Sequence, residues 1–187
     1  MLVVFGSSNA GFGMEGYISF GVLEKMLVTP VNRYGLVLGW ILGGSLSLAI
    51  SVILIIAIGC LMGVSIAMGI LGVILALLVV LLLGLGFVGI SYGIVIRTKD
   101  THPLVIITSM INLPLIFLSS ALMPVNFMPG WISSVARVNP VNYAVEAIRT
   151  LFIECNWNTY LLGLLVTGLF ACIGLALTIE SLKKFGE

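Results

Sequence analysis

Residues 34–96 read YGLVLGWILGGSLSLAISVILIIAIGCLMGVSIAMGILGVILALLVVLLLGLGFVGISYGIVI and contain no Asp, Glu, Lys, Arg or His. A helix crosses a bilayer core with about 20 apolar residues, and one straight helix over this run would extend about 95 Å. The run therefore turns back at least once. Its least apolar part is 59–65, where we predict a tight turn. This turn separates a span near 36–60 from a longer one near 67–95 that has room to tilt.

The composition of the whole chain indicates the same class of protein. Of its 187 residues, 60% are hydrophobic and 8% are charged, whereas a typical soluble domain carries about 25% charged residues. So few charges cannot cover a water-facing surface without exposing aggregation-prone apolar area. The net charge of +1 leaves no basic face for nucleic acid. Because the apolar runs are continuous, we predict an all-α, polytopic helical bundle embedded in a lipid bilayer.

Two more spans are predicted after the uncharged run. The charged residues of 97–103 separate the second span from a third at 104–123, and 160–179 forms a fourth. Residues 1–14 are glycine-rich and too short for a full crossing, so we interpret them as the remnant of a span. The prediction is therefore four full transmembrane helices plus a partial N-terminal one, in a single domain over the whole chain.

Basic residues are distributed unevenly between the two sides of these spans. With residues 20–33 placed inside, six basic residues face the cytoplasm and two, Arg137 and Arg149, lie outside. An excess of Lys and Arg marks the cytoplasmic side of a membrane protein. We therefore predict that both ends of this chain lie on the cytoplasmic side. The six inner residues are Lys25, Arg33, Arg97, Lys99, Lys183 and Lys184.

A short amphipathic segment, FGVLEKMLVTPVNR at 20–33, precedes the first span. It places apolar Met26 and Leu27 beside charged Glu24 and Lys25, and a proline ends its helical part. An interfacial helix leading into the span is one interpretation, and a cytoplasmic helix on which a partner domain docks is the other. The candidate docking residues are Gly21, Glu24, Lys25, Met26, Leu27, Thr29, Pro30 and Val31.

Residues 124–149 form an outer segment that prolines interrupt. Pro140 suits the first turn of a helix that has Asn139 as its N-cap, and Glu146 and Arg149 are then close enough to pair. Two short apolar helices at this place predict a hairpin dipping part-way into the lipid, and a helix lying on the surface is the alternative. The candidate hairpin residues are Pro124, Pro129, Trp131, Asn139, Pro140, Tyr143, Glu146 and Arg149.

Glycine recurs at every fourth position near the start of the first span. Gly35, Gly39 and Gly43 form two overlapping GxxxG units, and such a ridge lets another helix approach closely. Static packing inside the bundle is the simpler interpretation. A moving helix interface or a contact between subunits is the other.

The predicted spans contain no Asp, Glu, Lys, Arg or His. Proton-coupled carriers and membrane enzymes place such groups inside their spans, so we predict no catalytic or metal-binding residues. A phosphate-binding loop of the type GxxxxGK[ST] is also absent. A channel would need polar rings along a helix face, and Ser45, Ser47 and Ser51 are too few for this. Any transport is therefore passive or is driven by another subunit.

The docking and hairpin segments together resemble the permeases of type-2 ABC exporters, the family of daunorubicin-resistance and polysaccharide-export permeases. The family's first pattern, Gly then Leu-Leu-x-[Ser/Thr]-Pro-Val then Gly, is represented here by Gly21, Met26 to Val31, and Gly39. Its second pattern is represented by Ser119 to Pro124, Pro129-Gly130-Trp131, Asn139-Pro140, Tyr143 and Arg149. The order and spacing agree over about residues 15–182. Tyr17 to Phe20 depart from an acidic–basic pair that the family often carries, and Ser120 stands where glycine is common.

The resemblance implies partners and a mechanism. Two permease copies would assemble with two ATP-binding ABC subunits, which would bind ATP and Mg, so that this chain itself would need no cofactor. Closure of the ATPases would press on the docking helix and move a hydrophobic or lipid-linked substrate outward, while the hairpin closes the outer side. The family also implies a bacterial or archaeal cell membrane, and six spans, of which this chain supplies four and the tail of another. A membrane anchor or assembly subunit with no transport of its own is the alternative function.

Overall fold

A computed structural model describes residues 2–20, 33–63, 67–98, 100, 102–122, 129–154 and 156–185. These residues form helices and turns without any strand, which confirms the prediction of a helical membrane bundle. The helices are α1 (Leu2–Ser19), α2 (Arg33–Leu61), α3 (Gly69–Thr98), α4 (His102–Phe117), α5 (Gly130–Ala136), α6 (Pro140–Arg149) and α7 (Trp157–Phe185). A single π-helical turn, Thr150–Glu154, joins α6 to α7.

Among the described residues, three helices are long and apolar enough to cross a membrane, namely α2, α3 and α7. They have 29, 30 and 29 residues and lie where spans near 36–60, 67–95 and 160–179 are predicted. The fourth predicted span, 104–123, falls short, because α4 has 16 residues. The expected four full transmembrane helices are thus three of membrane length and one shorter helix.

Helix α4 ends early because its last turn forms hydrogen bonds that do not continue a helix. The Ser119 hydroxyl donates to the carbonyl of Ile116 at 2.7 Å and accepts from the amide of Ala121 at 3.3 Å. Such bonds from a serine side chain to the nearby backbone compete with helical ones. Residues 118–122 therefore form a turn.

The connection between α2 and α3 reverses the chain near the predicted turn at 59–65. Gly63 has φ +91° and Gly69 has φ +57°, and a side chain strains the backbone in this region. The amide of Gly63 donates to the carbonyl of Cys60 at 3.0 Å, which closes the C-terminal end of α2. The antiparallel course of α2 and α3 follows from this reversal.

Helix α1 runs antiparallel to α2. Gly6 packs against Leu48, and the Cβ atom of Ala10 lies 3.5 Å from the position that a Cβ on Gly44 would take. Helix α1 has 18 residues, more than the predicted remnant at 1–14, and extends about 27 Å. Val3 therefore lies at the opposite end of the bundle from the end of α7. This differs from the expectation that both chain ends share one side, because α1 crosses most of the bundle.

Helices α3 and α7 pack with their backbones in contact. A Cβ atom on Gly89 would lie 2.7 Å from the carbonyl carbon of Gly174, and one on Gly174 would lie 2.8 Å from the Cα of Gly86. The hydroxyl of Thr178 donates to the carbonyl of Gly89 across the interface at 2.6 Å. Small residues permit such close packing in membrane helices. This contact, called the glycine seam below, fixes α3 and α7 relative to each other.

The two ends of the bundle differ in character. At one end, Nη2 of Arg97 on α3 lies 3.0 Å from Oε1 of Glu180 on α7, with both side chains about half exposed. We call this the basic end, since Lys183 follows within one turn. The opposite end carries α5, α6 and the α2–α3 turn, where the amide of Ala67 donates to the carbonyl of Phe152. We call it the hairpin end.

Candidate functional site

The predicted hairpin residues meet at the hairpin end, where α6 begins. Asn139 has extended backbone angles, and its Oδ1 accepts from the amide of Val141 at 3.0 Å. Pro140 occupies the first helical position, where its missing N–H group costs no hydrogen bond. The structure therefore has the cap that the sequence indicates. The side-chain nitrogen of Asn139 lies on the side of α4.

The side-chain nitrogen of Asn139 holds the end of α4. It donates to the carbonyls of Leu115 at 2.6 Å and Leu118 at 3.1 Å. The last carbonyls of a helix lack partners within the helix, and a buried polar group without a partner is costly. Asn139 is 5% exposed, so its amide satisfies groups of two helices at once, away from water.

Two further side chains of α6 bind the turn after α4. Oδ1 of Asn142 accepts from the amide of Ser120 at 2.8 Å, and Nη2 of Arg149 donates to the carbonyl of Ser120 at 2.9 Å. Side chains of α6 thereby bind both the backbone amide and the backbone carbonyl of Ser120. We call Asn139, Asn142 and Arg149 the hairpin clamp.

The pairing expected between Glu146 and Arg149 is not the contact that Arg149 makes. Arg149 reaches Ser120, while Oε1 of Glu146 accepts from the side chain of Asn142 at 3.4 Å. A buried peptide carbonyl without a partner costs more than a partly exposed ion pair gains. Because Ser120 is buried, Arg149 binds its carbonyl rather than the carboxylate of Glu146.

The remaining hairpin residues support α6 from outside. The Tyr143 hydroxyl donates to the carbonyl of Arg137 at 2.8 Å, which ties α6 to the end of α5. Pro129 precedes α5, and Trp131 is exposed on it. Pro124 lies outside the described residues, so nothing is said of its contacts.

Helix α6 is fixed to α7 as closely as α3 is. A Cβ atom on Gly163 would lie 2.6 Å from the Cβ of Ala147 and 2.7 Å from the carbonyl oxygen of Tyr143. The clamp therefore connects α4, through α6, to the unit that the glycine seam forms.

Among the described residues, no group of three or more His, Cys, Asp or Glu could hold a metal ion.

The eight candidate docking residues, Gly21 through Val31, lie outside the described residues. The structure does describe what they connect, since α1 ends at Ser19 and α2 begins at Arg33. Gly44 of α2 packs against Val88 of α3, so the antiparallel course places Arg33 at the level of the basic end. The two helices that flank the docking segment in the sequence thus end and begin at that level.

The predicted glycine ridge on α2 has no partner within the described part of the chain. A Cβ atom on Gly39 or Gly43 would have nothing within 4 Å, and Gly35 is exposed. The next glycine, Gly44, contacts Val88 instead. Packing at the ridge by a further helix or a second copy stays a prediction.

Several residues of these contacts were not predicted from the sequence. In the clamp, these are Asn142 and the residue that it binds, Ser120. In the seam, they are Gly174 and Thr178. Asn142 stands three positions after Asn139, on the same helical face as Arg149, and this spacing was the available signal. For Gly174 and Thr178, only the presence of small residues on two spans could have indicated a contact.

Comparison with known proteins identifies the family of the chain. The model of the ABC-2 type transporter family matches residues 1–153, which include the docking segment and the whole clamp. The chain belongs to the ABC-2 type transporter family. The match confirms the resemblance drawn from the two motif segments. It also identifies the clamp as part of the ABC-2 region of a multi-pass membrane protein.

Individual relatives of this ABC-2 chain carry permease names. A protein of Porphyra purpurea named as transport permease ycf38 is 30% identical over 154 residues, which are 82% of this chain and 53% of the relative. Mycobacterium tuberculosis has a protein named as a doxorubicin resistance ABC transporter permease, DrrC, 24% identical over 91% of this chain and 61% of its own length. The protein named daunorubicin resistance ABC transporter permease DrrB1 of Streptomyces coeruleorubidus is 29% identical over 80% and 53%.

The chain spans about half the length of the curated relatives it matches. No solved structure matches it.

Proposed function

We propose that this chain is the membrane-spanning part of an ATP-driven exporter, which moves a hydrophobic or lipid-linked substrate outward when a separate ATPase pushes on residues 20–33. Family membership supports the proposal, as do relatives named as ABC transporter permeases. The observation that carries it is that α1 ends and α2 begins at the level of the basic end, and these two helices flank residues 20–33. An excess of basic residues is typical of the cytoplasmic side, where an ATPase would reach the segment.

The packing leaves space between α1 and α2. The glycine seam, the clamp and the Gly163 contact hold α3, α4, α6 and α7 together by backbone contacts and hydrogen bonds. Helices α1 and α2 line a cavity of about 480 Å³ beside Gly13, Gly39 and Gly43. This cavity gives the two helices room to move relative to each other when the segment between them is pushed.

In this proposal two copies of the chain assemble with two ATPase subunits, and the ATPases supply the bound ATP and Mg. The chain has no catalytic role of its own. The hairpin, held by the clamp, closes the outer side during the return stroke. A membrane anchor without transport is the second candidate, and the same experiment separates the two.

The test is purification of the complex from its native membrane in mild detergent, followed by identification of the associated proteins. We expect an ATPase subunit to co-purify with the unmodified chain and to be lost with Leu27→Asp, because a carboxylate would disrupt the apolar docking surface. Val138→Asp is the control, since Val138 is 84% exposed at the hairpin end. That variant should retain the ATPase.

Transport by inside-out vesicles distinguishes the exporter from the anchor. ATP-dependent uptake of a hydrophobic dye should occur with the unmodified chain and with Val138→Asp, and should stop with Leu27→Asp. An ATPase that binds equally well to the Leu27→Asp variant would contradict the docking role. A complex that contains the ATPase but moves neither dye nor lipid would favour the anchor.

A further inference from the structure

A second cavity, of about 300 Å³, lies at the hairpin end between α1, α2, α3 and α6. Its lining is entirely aliphatic. Val4, Leu83 and Ala144 form its buried walls, while Ile55 stands at its rim and is 51% exposed. The cavity is therefore lined by four helices and opens beside Ile55, on an exposed side of α2.

The chemistry of this lining restricts what the cavity can hold. No lining side chain offers a hydrogen bond, so neither water nor a polar ligand is stabilised there. An engineered aliphatic cavity of about 150 Å³ stays dry and binds benzene, and this one is about twice as large. Its volume reaches the lower end of the range of small-molecule pockets, about 300 Å³. An apolar occupant is the class that fits.

The depth of the cavity shows what can reach it. Val52 and Ile55 precede the end of α2, at Leu61, by nine and six residues. At 1.5 Å per residue they lie about 9–14 Å along the helix from that end. This level is within the hydrocarbon layer of the membrane half nearest the hairpin. The tail of an amphiphile from that half of the bilayer extends to this depth.

The clamp explains why the bundle does not close over this space. Val141, Ala144 and Ile148 place one face of α6 on the cavity. The adjacent face is held to α4 through Asn142 and Arg149. Moving α6 inward would break these hydrogen bonds at membrane depth, where they cannot be replaced by water. The cavity is therefore a lasting feature of the fold.

We infer that this cavity binds one saturated hydrocarbon chain of an amphiphile. The chain belongs either to a resident phospholipid or to a single-chain amphiphile that exchanges with the membrane. In the second case the cavity is a substrate subsite, and that reading rests on the proposed function. Binding itself does not depend on ATP, on an ATPase or on transport.

Photolabelling in phosphatidylcholine vesicles tests the inference. One set of vesicles contains phosphatidylcholine with a diazirine in its acyl chain, and the other contains hexadecanol with a diazirine at mid-chain. After irradiation, peptide mass spectrometry locates the label. We expect it on the cavity-lining segments of α1 and α6, in excess over the lipid-facing residues of α7. Label from the first set identifies a resident phospholipid, and label from the second identifies an exchangeable single chain.

Variants that fill the cavity provide the control. Ala144→Phe and Val52→Phe enter it from α6 and from α2, and both should abolish labelling of α1 and α6. Ala57→Phe adds a phenyl ring to an exposed position of α2 and should leave labelling unchanged. Circular dichroism and gel filtration verify folding, and competition by unlabelled hexadecanol in the unmodified protein serves if both variants unfold.

Label spread evenly over all lipid-facing helices would overturn the inference, as would labelling that persists in folded Ala144→Phe. Because no ATPase is present, failure of this experiment leaves the exporter proposal intact. Loss of ATPase co-purification, conversely, leaves the binding result intact.

Discussion

Replacing Gly174 by alanine tests whether the glycine seam holds α3 and α7 together. The added Cβ would collide with the carbonyl oxygen of Gly86 and lie 2.8 Å and 3.0 Å from the Cα and carbonyl carbon of that residue. These are backbone atoms, which cannot rotate away as the end of a side chain could. The two helices would therefore have to separate along the seam.

The magnitude follows from two opposing effects. Alanine favours a helix over glycine by about 1 kcal/mol, whereas overpacking a well-packed contact costs about 1–3 kcal/mol. Separation also stretches the 2.6 Å hydrogen bond from Thr178 to Gly89, and such bonds average about 0.6 kcal/mol in membranes. We expect Gly174→Ala to lower the free energy of unfolding by about 1–2 kcal/mol net.

The matched control is Gly43→Ala on α2. Nothing lies within 4 Å of the Cβ that this change would add, so the substitution should be neutral or stabilise by up to about 1 kcal/mol. Both variants are unfolded by SDS titration from the monomeric, detergent-solubilised state, with helical circular dichroism as the readout. Equal stability of Gly174→Ala and the unmodified chain would refute the seam as a close backbone contact, as would a loss at Gly43 equal to that at Gly174.

Three further predictions concern the clamp, the basic end and the orientation. Asn139→Ala should lower the free energy of unfolding by about 1–3 kcal/mol, because the cap and the bonds to Leu115 and Leu118 are lost together. Asn139→Asp keeps the cap acceptor but turns a carboxylate oxygen, in place of the donor, toward the carbonyls of Leu115 and Leu118, so its SDS-unfolding midpoint should also fall below that of the unmodified chain; a midpoint equal to that of the unmodified chain would contradict the clamp. Arg97→Gln should cost no more than about 1 kcal/mol, since the ion pair with Glu180 is half exposed, and the loss should diminish at high salt; a salt-independent loss above that size would indicate a different role for Arg97. In intact cells, and with the three native cysteines replaced by serine, an impermeant maleimide should label Val138→Cys and leave Lys183→Cys unlabelled, because the two positions lie at opposite ends and the basic end is predicted to be cytoplasmic; the reverse pattern would invert the orientation.

The sequence predicts the helical bundle and its three long helices because each of them is a local property. An uncharged run from Tyr34 to Ile96 is too long for one crossing, and lipid leaves a helix as the way to satisfy its backbone. The cap at Asn139 and Pro140 is equally local and was found for the same reason.

The length of α4 and the partner of Arg149 could not be predicted in this way. Leu104 to Met123 contains no charged residue and is long enough for a span, yet the helix stops at Phe117. Residues of α6, more than 20 positions later, supply the hydrogen bonds that make this stop possible. Hydropathy measures whether a segment prefers lipid, and it carries no information about such distant partners.

The sequence by itself determined that the chain lies in a membrane, that three of its segments are long and apolar enough to cross it, and which family it resembles, since these follow from composition and from order along the chain. Only the tertiary structure decided which glycines pack. Gly39 and Gly43 obey the GxxxG spacing, yet a Cβ added to either would meet no atom of the described residues within 4 Å, whereas Gly86, Gly89 and Gly174 meet backbone to backbone. Every span of this chain is apolar on all sides, so its periodicity does not mark an inner face. The face that packs is chosen by the fit between two helix surfaces, and that fit exists only once both helices are in place.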